Sequence, residues 1–112
     1  MKVFISQPMH EQTKEEIEQV YQTAAADVRA RLTPHTTEPI ELLSTRNYIL
    51  PKQLQNGRNQ RIAYLSHSIQ VMSMADAVYF CEGAENSAGC ASEHAIAKIY
   101  GIPIMRPEGL PL

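Results

Sequence analysis

Residues 76–104 read DAVYFCEGAENSAGCASEHAIAKIYGIPI, and this stretch decides the fold. Ala77-Val78-Tyr79-Phe80-Cys81 is a nearly continuous apolar run. Its length and flanks suit a strand buried on both faces, as strands of parallel sheets are. Glu82 to Gly89 is polar and carries two glycines, so it reads as a loop. Cys90 to Tyr100 then places Ala91, Ala95, Ile96 and Ile99 at helical spacing, with Gly101 just past the end. Ile102-Pro103-Ile104-Met105 closes the stretch as a short strand, and Pro103 favours a sheet edge or a strand start. Residues 106–112 read as an irregular tail.

The same alternation extends towards the N-terminus. Ile62, Leu65, Ile69 and Met72 recur at spacings that predict an amphipathic helix ending near Ser73 and Met74. Lys2 to Ser6, KVFIS, is a β-rich run closed by Gln7-Pro8. Thr13 and Glu16 form a capping box for a helix through Ile17, Val20, Tyr21, Ala24, Val28 and Leu32, which Pro34 stops. Residues 34–59 are less legible. Pro39 to Leu43 fits a short strand or a helical turn, and Asn47 to Gly57 reads as a connection or an active-site loop. Strands alternate with helices, and no hairpin signal joins neighbours. The expected fold is a three-layer α/β domain, flavodoxin-like or Rossmann-like, with a small parallel sheet.

Composition bounds the function. A chain of 112 residues is expected to form one domain, residues 1–112. Hydrophobic residues make up 44% and charged residues 20%, as in a globular protein. A formal net charge of -2 gives no broad basic field, which argues against a nucleic-acid polymer as partner. With no Trp and two Phe, the core must come from aliphatics, Met and Tyr. There is no apolar run of membrane-spanning length, and MKVFISQPMH lacks the pattern of a signal peptide. No membrane partner and a cytoplasmic location are therefore expected, with Cys81 and Cys90 as free thiols. These cysteines and the scattered histidines make no convergent ligand set, so no metal and no other cofactor is expected.

Parallel sheets place ligands beyond the carboxyl ends of their strands. Two polar loops fall there, Gln7 to Gln12 and Glu82 to Gly89, and both precede helices. Glu93 follows the second loop, in the first turn of its helix or just beyond. There the helix dipole would keep a carboxylate ionised and aimed, as nucleophilic attack on an anomeric carbon requires. A bare stabilising role at the helix start explains the same residue. Ser87 and Asn86 either cap the helix or line a small anion pocket with its exposed N–H groups. Asp76 is a turn residue or a second acid, although it precedes its strand and so sits at the end opposite the expected ligand site. His94 has no diagnostic spacing to a partner, and Cys90 reads as a packing residue. Arg58 and Arg61 fit a solvated segment or a phosphate contact, and Tyr21, Tyr48 and Tyr64 are candidate stacking groups. The loop EGAENSAGC is neither a Walker A sequence nor a dinucleotide fingerprint.

Three blocks taken together, KVFISQPM, MADAVYFCEG and NSAGCASEHAIAKIYGIPI, resemble the nucleoside 2-deoxyribosyltransferase-like superfamily, in particular its small bacterial and phage members. The resemblance lies in their order, ending in Ser87-x-Gly89-x-x-x-Glu93 at the opening of a helix. It implies that Glu93 is the nucleophile, that Ser87 touches a phosphate, that Asp76 takes part in activity, and that Ser6, Gln7 and Pro8 border the ligand. Asn86 and Gly89 belong to the same ligand loop. Ala95 stands where relatives commonly have Gly, Ser87 where many transferases have Asp, and Gln7-Pro8 where Gly-Pro is common. The expected activity is hydrolysis or transfer at the N-glycosidic bond of a 2′-deoxynucleoside or its 5′-monophosphate. The expected partners are that small molecule and a second copy of the chain, in a homodimer or larger homo-oligomer. The alternatives are a non-catalytic nucleotide-binding or sensing domain and a TIR-like NAD glycohydrolase.

Overall fold

A computed structural model describes residues 1–108. In chain order it contains β1 (Lys2–Ser6), α1 (Lys14–Leu32), a 3-10 turn (Thr33–His35), β2 (Glu41–Leu43), α2 (Lys52–Gln55) and α3 (Gln60–Met72). Then follow β3 (Ala77–Phe80), a second 3-10 turn (Ala84–Asn86), α4 (Ala88–Ile99) and β4 (Ile104–Met105). The four strands form one sheet in the order β2-β1-β3-β4, and every pairing is parallel. In β1 and β3, Val3 stands opposite Ala77 and Ser6 opposite Phe80.

The apolar runs of β1 and β3 become the central strands because both of their faces are covered. Val3, Ile5, Tyr79 and Cys81 pack on one side against Ala24, Ala25 and Val28 of α1. Phe4, Val78 and Phe80 pack on the other against Met72 of α3 and Cys90 and Ala97 of α4. The result is the three-layer Rossmann- or flavodoxin-like arrangement that the alternating sequence implies. Strand periodicity of two sends successive side chains to opposite layers, so a one-residue slip of β1 against β3 would break both cores.

Local signals place the helices. Thr13 Oγ1 accepts from Glu16 N at 3.1 Å while Glu16 Oε1 accepts from Thr13 N at 3.1 Å, so the capping box forms. Glu15 and Glu16 in the first turn and Arg29 and Arg31 in the last complement the helix dipole. Pro34 lies inside the 3-10 turn that follows α1. Asn59 caps α3 through its side chain, accepting from Ile62 N at 3.1 Å. The segment Pro39 to Leu43, open between strand and helix on sequence, contains the edge strand β2. Pro103 precedes the other edge strand, β4, and its carbonyl accepts from Val78 N at 2.9 Å. Helix α4 starts two residues before the expected Cys90, with Ser87 as its N-cap. Of the stretch expected to be irregular, residues 106–108 belong to no helix or strand, and residues 109–112 lie outside the described residues. Arg106 is nonetheless buried: its guanidinium pairs with Glu85 at 3.1 Å, and its carbonyl accepts from Arg31 at 2.5 Å.

Asp76 closes the amino end of the sheet. Its Oδ2 accepts from Lys2 N at 2.7 Å and its own N–H donates to Lys2 O at 2.7 Å. These two bonds lock the entry of β3 to the start of β1. Replacing Asp76 by Ala should lower stability by about 1 kcal/mol, read as a fall in the urea midpoint with an unchanged slope.

Candidate active site

At the carboxyl ends of the central strands, Ser6 ends β1 and meets Glu93 from the second turn of α4. Ser6 Oγ donates to Glu93 Oε1 at 2.9 Å. Ser6 is 1% exposed and Glu93 6%, so a carboxyl group is held inside the fold with a directed hydroxyl beside it. Helix α4 reaches this position because Gly83 turns the chain after β3 with a left-handed φ of 84°. Ser87 then caps the helix, its Oγ accepting from Cys90 N at 3.4 Å.

Burial, not the helix dipole, governs the ionisation of Glu93. It pushes the carboxyl up to about 7 from an ordinary 4.5, and the Ser6 hydroxyl offsets this only in part. The expectation of a carboxylate held ionised by its helix position is corrected accordingly. Cys90 is also buried, and burial raises its thiol. That agrees with its reading as a packing residue and removes it as a ready nucleophile.

Glu93 forms part of the wall of an open cleft of about 390 Å³. Gln7, Met9 and His10 of the β1–α1 loop line it, with Arg61, Tyr64 and Ser68 of α3 opposite, and Ser87 and Gly89 at the start of α4. A smaller recess of about 30 Å³, room for one water, extends behind Glu93 to Ser6, Thr45 and Ser68. Thr45 Oγ1 and Ser68 Oγ lie 3.2 Å apart there. Gln7 is buried, and its Nε2 donates to Ile17 O at 3.0 Å. This bond fixes the amide orientation and leaves Oε1 without a partner.

The fold thus brings Glu93, Ser6, Gln7, Ser87 and Gly89 together. It does not bring Asp76, Asn86 or Pro8 to the cleft wall. Asp76 bonds to Lys2, four residues before Ser6 along β1, or ~13 Å away at strand spacing. Within one chain its carboxylate serves the opposite end of the sheet. Asn86 is exposed in the 3-10 turn, and Pro8 stands beside Gly83, its Cγ 3.9 Å from where a Cβ there would lie. His94 packs its ring against Phe80 at 5.0 Å and borders a separate cavity of about 240 Å³. Among the three tyrosines, Tyr21 lies under the Arg46 guanidinium and Tyr48 stacks on His67, whereas Tyr64 faces the cleft.

Ser68 and Thr45 had no place in the sequence reading, and His10 entered it only as part of the Gln7 to Gln12 loop. Arg61, Leu65 and Ser68 fall at helical spacings of four and three and share the cleft face of α3. That polar edge of the apolar stripe was the available signal. A larger groove of about 490 Å³ lies on the α1 side. Its main polar groups satisfy one another, since Tyr79 Oη donates to Asp27 at 2.6 Å and Arg31 pairs with Asp27 at 3.2 Å. Among the described residues, no cluster of three His, Cys, Asp or Glu side chains is placed to hold a metal ion. No helix is long and apolar enough to cross a membrane, again among the described residues.

The raised carboxyl of Glu93 has a sign. Between 4.5 and about 7 the folded chain holds a proton that the unfolded chain releases. The stability from the protonated group is therefore complete below 4.5 and lost as pH rises through about 7, ~3 kcal/mol over that window. Glu93→Gln, which keeps the shape and drops the charge, should raise the melting temperature relative to the native chain at pH 8. At pH 5 it should change it little, as thermal unfolding at the two pH values would show.

Comparison with curated proteins gives no match. Among solved structures, the chain is similar to a 2-deoxyribosyltransferase from the psychrotolerant bacterium Bacillus psychrosaccharolyticus. The TM-score is 0.63 at 20% identity, over 100% of this chain and 77% of that one. The likeness is one of fold. The sequence profile of a domain of unknown function, DUF4406, matches residues 1–106, and the chain belongs to that family.

Proposed function

We propose that this protein breaks the N-glycosidic bond of a 2′-deoxynucleoside or its 5′-monophosphate, with Glu93 as nucleophile. The observation that carries the reading is the Ser6–Glu93 pair: a buried carboxyl, aimed by a hydroxyl at 2.9 Å, in the wall of a cleft beyond the carboxyl ends of parallel strands. Carboxylates so placed serve as nucleophiles towards anomeric carbons. The sequence resemblance and the shared fold point the same way. Glu93 attacks C1′ as the base departs, giving a glycosyl-enzyme ester. Water then releases the sugar in hydrolysis, or a second base does so in transfer.

The remaining wall suits the rest of such a substrate. Ser87 and the first N–H groups of α4 can take a phosphate or a 5′-hydroxyl. Arg61 adds a cation on the facing helix, and Tyr64 offers a ring for a base. A cleft of this size accommodates a nucleotide.

Glu93→Ala should abolish release of free base from deoxynucleotides, by roughly 1,000-fold or more, while circular dichroism stays native. Specific nucleotide binding without base release by the native chain would instead favour a sensing domain. Attack requires the ionised carboxylate, so the acid limb of kcat/KM should climb with pH and inflect near 7. Ser6→Ala removes the bond that favours the charged form. The acid limb of its pH–rate profile should move to higher pH.

A further inference from the structure

Departure of a neutral base needs a proton as well as a nucleophile. The chain has 12 Asp and Glu residues, all within the described region, and Glu93 is the one that lines the cleft. A carboxylate engaged in bonding to C1′ cannot also protonate the base. Of the other groups in the wall, Arg61 does not release a proton in proteins, and phenols and thiols hold theirs more tightly than an imidazolium does. His10 lines the same cleft from the β1–α1 loop.

A second observation singles out this loop. Glu11 has a φ of 61°, the sole positive φ at a non-glycine position among the described residues. Side chains seldom tolerate that conformation, and such outliers gather where a function fixes them. Here the bend accompanies the approach of Glu11 Oε1 to within 3.6 Å of His10 Nε2. The loop thus holds the imidazole at the mouth of the cleft that Glu93 lines, with a carboxylate beside it.

Resting on the glycosidic reading above, we propose that His10 is the general acid that protonates the leaving base. The C1′–N bond breaks with its electron pair going to the base, a proton of the His10 imidazolium passes to a ring nitrogen of that base, and Glu93 bonds to C1′. In the hydrolytic branch, water adds to C1′ and gives a proton to His10. The Glu93–C1′ bond breaks as the water oxygen bonds, its electrons returning to the carboxylate. Both side chains are restored, and the products are the free base and the sugar or its phosphate.

The test compares two substrates that share a sugar: 2′-deoxyguanosine 5′-monophosphate and its N7-methyl derivative. The methylated base already carries a positive charge and leaves without a proton. His10 is exposed at 72%, so His10→Gln should leave the fold intact. It should cut kcat for the unmethylated substrate by roughly 100-fold and that for the methylated one by less than about threefold. Equal losses on both substrates, or no loss on either, would overturn the proposal. Glu93→Gln is the control and should silence both. If that variant still releases both bases, the nucleophile assignment is what fails, and the acid role built on it fails with it. No base release from either substrate by the native chain would overturn both.

Discussion

Covering β1 and β3 on both faces leaves them no solvent-facing side on which to carry polar side chains. The two strands run parallel in register, with α1 on one side and α3 and α4 on the other. Polar side chains can emerge only where the strands end. At the amino end the outlet is Asp76, and it is consumed in joining β3 to Lys2. At the carboxyl end it is Ser6, one residue past the apolar stretch, and its hydroxyl meets the carboxyl of α4. The chemistry of the cleft descends from that restriction. The Ser6 hydroxyl and the Glu93 carboxyl meet where the layers open, with α3 and the loops supplying the remainder.

Glu93 is therefore under two opposed influences. The packing of α4 against the sheet excludes water from its carboxyl and favours the neutral acid. Ser6 favours the anion, though by less. The same packing keeps Cys90 protonated one turn earlier. A group balanced in this way changes charge near neutral pH, where an exposed glutamate would long have been ionised. Its reactivity and its cost to stability rise together with pH.

Much of this architecture was legible in the primary structure. The apolar run at Ala77–Cys81 suited a strand buried on both faces of a parallel sheet, and the β-rich KVFIS marked another strand. The capping box at Thr13 and the stripe Ile62, Leu65, Ile69, Met72 fixed two of the helices. Local reasoning stopped where partners are far apart in the chain. Glu93 was found, but its protonation depends on burial by other elements and on a serine 87 positions away. Ser68 was hidden at the edge of an apolar stripe, and Thr45 in residues 34–59, the least legible part of the chain. His10 sits in a loop whose one unusual dihedral, at Glu11, has no sequence mark. Asp76 illustrates the reverse. Its place before the strand already implied the wrong end of the sheet, and the bonds to Lys2 give it a different task.

Cys81 and Cys90 stand on either side of this arrangement, both buried, the Cys81 thiol pushed up to about 12 by its surroundings. Alkylating reagents attack thiolates, so the folded chain is nearly inert to them. Modification must wait for the layers to part. The pair thus forms a native clock for opening of the sheet, with Cys90 keeping time for α4 and Cys81 for the strand end beneath α1. Mass spectrometry could read the two separately, without a label being introduced.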